Sequence, residues 1–273
     1  MRWRSFGVLV VATIGLMAGL PSSSLATSVP LPDSMAAIGD SITRATDACC
    51  FYGDHPGRAW STGYVADSIS SHYERIRAAN PGMTGNAHND AVAGAKMANA
   101  ASQAASAVSQ QAEYVTILMG ANDTCTSSPG TMTPVADFTN QFQGAMNKLE
   151  AGLPAGAHIF VASIPNIYRL WQVLHTNPLA QAVWWAAKIC QSMLSPFNTS
   201  EDRAKVLDRE KAFNDVLEQV CGQYSNCRFD SEAVFNYQFT ADQVSKLDYF
   251  HPNISGQATL ASVTWARSWW PGL

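Results

Sequence analysis

The sequence predicts a single α/β domain, a parallel β-sheet with helices packed on both faces. Three observations carry that prediction. Short apolar runs alternate with longer stretches of helical periodicity along most of the chain. The runs are apolar throughout rather than at every second residue, the pattern of strands buried on both faces. Only 14% of the 273 residues are charged while 47% are hydrophobic, a balance that suits a sheet with no face turned to water.

The elements follow in order. Met35-Ala36-Ala37-Ile38-Gly39 is a short apolar run ended by glycine and reads as a buried first strand. Arg58 to Tyr73 carries Trp60, Tyr64, Val65, Ile69 and Tyr73 at near-helical spacing, which predicts a helix. Met97 to Gln111, rich in Ala, Gln and Ser, predicts another. Tyr114 to Met119 is β-branched and apolar, a central strand. Phe138 to Ala151 places Phe138, Phe142, Met146 and Leu149 near one helical face. Ala157 to Ile164 is a further buried strand, stopped by Pro165. Residues 166–197 are unusually apolar, with Trp171, Trp184, Trp185 and Met193, and read as a helical insertion. Arg203 to Val220 is a charged amphipathic helix, Cys227 to Phe229 a short strand, and Ile254 to Trp265 the last helix. No internal repeat, linker or composition break interrupts the chain after its N-terminal segment, so residues 27–273 are read as one domain.

That N-terminal segment reads as an export signal. Arg2 and Arg4 precede an apolar run from Phe6 to Leu20, Pro21 and a serine cluster break it, and Ser24-Leu25-Ala26 fits a small-x-small cleavage site. Residues 1–26 are therefore expected to be removed and the mature chain to be extracellular. Removal takes away two arginines and no acid, which moves the net charge from −4 to −6. An acidic surface argues against nucleic acid and anionic membranes as partners. No further apolar run is long enough to span a bilayer, so no stable membrane insertion is expected after cleavage. A monomer is the expectation for the mature chain.

Six cysteines, Cys49, Cys50, Cys125, Cys190, Cys221 and Cys227, all lie after the cleavage point, which agrees with export and predicts up to three disulfides. Six cysteines allow 15 pairings. Cys221 with Cys227 would close a short loop and Cys125 with Cys190 would tie two long ones. Cys49 with Cys50 would need a strained link between neighbours. Neither CxxC nor HxxxH spacing occurs, so no metal is expected.

Open parallel sheets place their sites at the carboxyl ends of the strands, and the chemically suggestive residues fall there. Ser41 follows the first strand in Gly39-Asp40-Ser41, at what reads as a turn into a helix. A serine hydroxyl is a weak nucleophile that needs a neighbouring base; taken alone, the position suits a helix N-cap better. His251 is the candidate base. Asp248, three residues earlier in Asp248-Tyr249-Phe250-His251-Pro252, is close enough in sequence to orient its imidazole. Pro252 is expected to start the last helix at its first turn. Asn122, in Gly120-Ala121-Asn122-Asp123 after the Tyr114 strand, supplies an amide donor. Gly94 offers a backbone N–H with no side chain in the way. The N–H groups of Ser41 and Gly94 with the Asn122 amide would make a three-donor oxyanion hole.

The order and placement of these blocks are more specific than any one of them. Ile38-Gly39-Asp40-Ser41, then Asn89-Asp90-Ala91-Val92-Ala93-Gly94, then Gly120-Ala121-Asn122-Asp123, then Asp248-x-x-His251-Pro252 resemble the GDSL/SGNH hydrolase family, with Ile42 where leucine is common. The four blocks span Ile38 to Pro252. The stretch around Cys125 is most similar to secreted actinobacterial lipase/esterases and the phospholipase B-like branch. The resemblance implies a three-layer α/β/α, flavodoxin-like fold with a central parallel sheet. It implies Ser41 as nucleophile, His251 as base, Asp248 as its orienter, and Ser41, Gly94 and Asn122 in the oxyanion hole. It implies a serine hydrolase of carboxylic esters, lipid or small-molecule, that needs no cofactor. A deacetylase of polysaccharide would use the same residues, and a non-catalytic binding module on this scaffold is the alternative of another class. The apolar 166–197 stretch would wall an acyl pocket, present an aromatic patch, or pack into the core.

Overall fold

A computed structural model describes residues 29–65 and 69–273 together with Met1, Trp3 and Gly7; the predicted signal segment, residues 1–26, lies almost wholly outside the described residues. The sheet has five strands: β1 (Met35–Gly39), β2 (Ala87–Asn89), β3 (Tyr114–Leu118), β4 (His158–Val161) and β5 (Cys227–Phe229). Their order is β2-β1-β3-β4-β5, and every neighbouring pair is parallel. This is the flavodoxin-like order, whose connections leave in opposite directions at β1 and β3 and open a crevice between them. β1 and β3 are fully buried along their length, which is why they read as unbroken apolar runs.

One face is covered by α2 (Ala100–Ser109), α4 (Val135–Gly152) and α8 (Ser200–Cys221), packed side by side. The other carries α1 (His72–Ala79) and α10 (Ile254–Trp265), the latter in contact with the short α9 (Ala233–Asn236). The alternation of side chains along β3 serves both layers: the Tyr114 hydroxyl bonds His72 of α1, and Thr116 bonds Ser61 on the same side. Three disulfides form, Cys125–Cys190, Cys221–Cys227 and the neighbouring pair Cys49–Cys50. Among the described residues, no helix is long and apolar enough to cross a membrane.

Three local expectations are corrected. The apolar spacing from Arg58 to Tyr73 does not form one helix. Residues 59–65 run as turns, with Tyr64 and Val65 N–H groups both bonded to the Gly57 carbonyl. The helix starts only at His72, where Ser71 caps it and Glu74 completes a capping box. The aromatic residues there are buried or exposed according to the turns. Ser41 enters a run of tight turns rather than a helix, so it is not an N-cap. Pro252 lies before the last helix, not inside it: Asn253 is the N-cap and accepts the Gly256 N–H, while Pro252 forms an isolated bridge with Val244.

His72 illustrates how this core constrains its polar groups. It is fully buried, its ring nitrogens paired with the Tyr114 and Thr264 hydroxyls. Burial, with the nearby Arg75 charge, pushes its pKa down to about 3. The unfolded chain therefore binds a proton near pH 6.5 that the folded chain refuses until about pH 3. This contribution to stability is present above pH 6.5 and is lost as pH falls. Between pH 7 and 4.5 the loss amounts to roughly 3 kcal/mol. Asp40 has the opposite sign, since burial lifts it to about 6 and its neutral form favours the fold in acid. In His72→Gln the Asp40 effect remains and the His72 effect vanishes. The stability gap between wild type and this variant, from urea unfolding, is expected to narrow by about 3 kcal/mol from pH 7 to 4.5; an unchanged gap would contradict a neutral buried His72.

Candidate active site

The crevice between β1 and β3 gathers the candidate residues from four separate segments. Gly39 ends β1 where the chain bends sharply: a β-carbon there would lie 2.3 Å from Thr43 Oγ1 and 2.8 Å from the Leu118 carbonyl oxygen, so only glycine fits. Asp40, fully buried, accepts the Ile42 N–H on Oδ1 at 2.9 Å, and the Asp40 carbonyl accepts the Arg44 N–H. These bonds fold the turn around Ser41.

Beyond β2 the chain continues up the sheet edge. Asp90 N–H bonds the Ala37 carbonyl and Val92 N–H bonds the Gly39 carbonyl, which sets Ala93-Gly94 beside the Asp40-Ser41 turn. Neither the Ser41 nor the Gly94 N–H has a protein acceptor among the described residues. After β3, Gly120 adopts φ +128° in a space closed by Ile164, and the short turn α3 (Ala121–Thr124) presents Asn122. One amide hydrogen of Asn122 is fixed by the Ala95 carbonyl at 3.0 Å, leaving the other to donate. Asp123 anchors this turn from below, accepting the Met97 N–H and the Thr133 hydroxyl; burial raises its pKa.

The fourth segment, residues 245–251, precedes α10. Ser41 Oγ stands 2.7 Å from His251 Nε2, and His251 Nδ1 is hydrogen-bonded to Asp248 Oδ2. A carboxylate can only accept, so Nδ1 carries the proton and Nε2 offers its lone pair to the Ser41 hydroxyl. Asp248 Oδ1 accepts the Phe250 and His251 N–H groups at 2.9 and 3.1 Å. Burial alone would raise the Asp248 carboxyl, but the hydrogen bond from the His251 ring and the two N–H groups hold it below the ordinary value. All three predicted residues thus stand in one hydrogen-bonded line, and Gly94 and Asn122 stand on adjoining strand ends.

An apolar pocket of about 70 Å³, open to solvent on one side, adjoins this line. Ile42, Ala121 and Pro252, the neighbours of Ser41, Asn122 and His251, form its inner wall, and Ile167, Leu170 and Val173 form its outer wall. The last three belong to α5 (Ile167–Leu174), which with α6 (Pro178–Ala186) and α7 (Gln191–Leu194) makes up the predicted insertion. The insertion divides its roles: α5 lines the pocket, Trp184 is buried with its Nε1–H on the Tyr249 carbonyl, and Leu179, Trp185 and Phe197 are exposed. Cys125–Cys190 ties it to the Asn122 turn. Sequence reasoning missed Asp47, which offers a carboxylate atom within 4.8 Å of those of Asp248 and His251. It lies in the loop after Ser41, and no spacing in the chain links it to the 248–251 segment.

A serine, a histidine and an aspartate in line beside free N–H donors, at the carboxyl edge of a parallel sheet, have the arrangement of the serine hydrolases. The family model of GDSL-like lipases/acylhydrolases matches residues 35–263. The chain belongs to that family and is a carboxylic ester hydrolase. No curated protein sequence matches it. Among solved structures it is similar to an acetyl xylan esterase, AlAXEase (14% identity, 85% of this chain and 98% of that one, TM-score 0.52). It is similar to a GDSL-like lipase from Parabacteroides merdae (16%, 88% and 98%, 0.53) and to an extracellular lipase from Streptomyces rimosus (14%, 86% and 99%, 0.51). At these identities the likeness is one of fold.

Proposed function

We propose that the protein is a secreted esterase or lipase that cleaves esters of medium-chain or longer apolar acids through an acyl-enzyme on Ser41. The observation that carries this reading is the Ser41–His251–Asp248 line standing beside an open pocket whose walls, Ile42, Ile167, Leu170, Val173 and Phe250, are apolar and suit an alkyl chain. His251 Nε2 takes the Ser41 proton as Oγ attacks the ester carbonyl. The oxyanion is held by the N–H groups of Ser41 and Gly94 and the free Asn122 amide hydrogen, while Asp248 stabilises the imidazolium. His251 then protonates the leaving alcohol, and water activated by the same ring releases the acid. The N-terminal signal pattern supports export, and three disulfides suit an oxidising compartment.

A chain-length series of nitrophenyl esters tests the acyl preference. Each methylene buried in the pocket is worth about 0.8 kcal/mol, so kcat/KM for the octanoate is expected to exceed that for the acetate by tenfold or more. Leu170→Trp, which fills the outer wall, is expected to lower the octanoate-to-acetate ratio by about tenfold. Activity confined to the acetate would overturn the reading in favour of a deacetylase.

A further inference from the structure

The Asp47 and Asp248 carboxyl groups are both buried, and an oxygen of each lies within 4.8 Å of the other and of a His251 ring nitrogen. Two buried carboxyl groups this close disfavour carrying two negative charges, and the surroundings decide which of them keeps a proton. Asp248 accepts three N–H groups, those of the His251 ring, Phe250 and His251, each of which favours its anion. Asp47 accepts one, the Gly53 N–H at 2.7 Å. The proton therefore belongs to Asp47. The titration directions agree: burial and the Asp248 charge raise Asp47, while Asp248 is lowered. The two segments are also stapled by backbone. The Ser245 hydroxyl donates to the Asp47 carbonyl at 2.6 Å, and the Ser245 N–H donates to the His251 carbonyl at 2.8 Å.

We infer that Asp47 is a positioning residue for ester hydrolysis: a neutral carboxyl whose O–H donates to the Asp248 carboxylate and, through it, keeps the His251 ring in line with Ser41. The inference rests on the proposed roles of Ser41, His251 and Asp248. The charged groups that act on Asp47 are Asp248 and His251, both on the segment packed against its loop.

Three variants of the full mature chain, assayed on a nitrophenyl ester with thermal unfolding measured alongside, test it. Asp47→Ala removes the donor and is expected to lower kcat about tenfold with KM within twofold. It should also shift the low-field proton resonance of the His251 Nδ1–H. Asp47→Asn keeps both the acceptor for Gly53 and a donor for Asp248, accepts the left-handed backbone of this position (φ 54°), and is expected to restore most of the lost kcat. Because it replaces a neutral group by a neutral group, it should leave the acidic limb of the kcat/KM profile within about 0.3 of a pH unit. Were Asp47 ionised, Asp47→Asn would delete a negative charge beside His251 and move that limb down by about a unit, which would overturn the proposal. Asp47→Ala with wild-type kcat and an unmoved resonance would overturn it as well. Should Asp47→Ala not fold, the acidic limb of Asp47→Asn still decides. Labelling of wild-type Ser41 by a fluorophosphonate separates the two levels: an unlabelled chain overturns the triad reading and this inference together, and a labelled chain with an indifferent Asp47 overturns this inference alone. Asp47→Leu, apolar and of similar bulk, should behave as Asp47→Ala.

Discussion

Ser41→Ala is expected to lower kcat for a nitrophenyl ester by on the order of 10⁴- to 10⁶-fold, while the fold remains intact. The loss is large because the covalent step disappears and nothing nearby replaces it. Around Ser41 the structure offers N–H donors and an imidazole, which bind and polarise an ester but form no acyl bond. The residual rate should be that of the oxyanion hole and substrate binding alone. The fold should survive because the Ser41 side chain makes one hydrogen bond, to His251. The turn is instead held by backbone groups and Asp40. Unfolding free energy is expected to change by less than about 1 kcal/mol, and fluorophosphonate labelling should vanish. Activity within tenfold of wild type would remove Ser41 from the mechanism.

Asp248→Asn is expected to cost about 10⁴-fold in kcat with little change in KM. The asparagine carbonyl can still accept the Phe250 and His251 N–H groups that Asp248 Oδ1 accepts. Its NH₂, however, would face His251 Nδ1 as a donor. The imidazole would then carry its proton on Nε2, where it meets the Ser41 hydroxyl as a second donor and cannot serve as base. The effect is one of tautomer rather than of shape, so circular dichroism and unfolding temperature should stay close to wild type. A loss below tenfold would mean that the ring is oriented by something other than Asp248.

Much of the fold was readable because burial leaves a plain mark. β1, β3 and β4 lie inside the sheet, and apart from Thr116 and His158 their residues are apolar or aromatic on both faces. β2 escaped notice because Ala87-His88-Asn89 is a three-residue edge strand, half-buried, with polar side chains. Its pairing with β1 is a property of the sheet and not of its own composition. The misread helix at Arg58–Tyr73 failed for a related reason. Apolar spacing records which residues are buried: the turns of residues 59–65, pressed against α10, bury Trp60 as a helix face would, while Tyr73 is buried on α1. Trp60 N–H, for example, is bound by the Gln257 side chain of α10.

For the site the division lies elsewhere. Ser41, Gly94, Asn122, Asp248 and His251 could be named from sequence because each sits in a short block whose local chemistry is nearly complete within a few residues. Asp248 caps the turn that carries His251, and Gly39 and Asp40 shape the turn that carries Ser41. Local backbone geometry is determined by neighbours in the chain, so the sequence by itself determined these turns and the parallel sheet that collects them. Only the tertiary structure decided that the blocks meet, with Ser41 Oγ 2.7 Å from His251 Nε2. It also decided that α5 turns the 166–197 insertion into a pocket wall and that Asp47 stands behind Asp248. Those are contacts between segments far apart in the chain. Their distances depend on how the layers pack around the crevice, and the residues near each contact carry no record of the partner they will find across it.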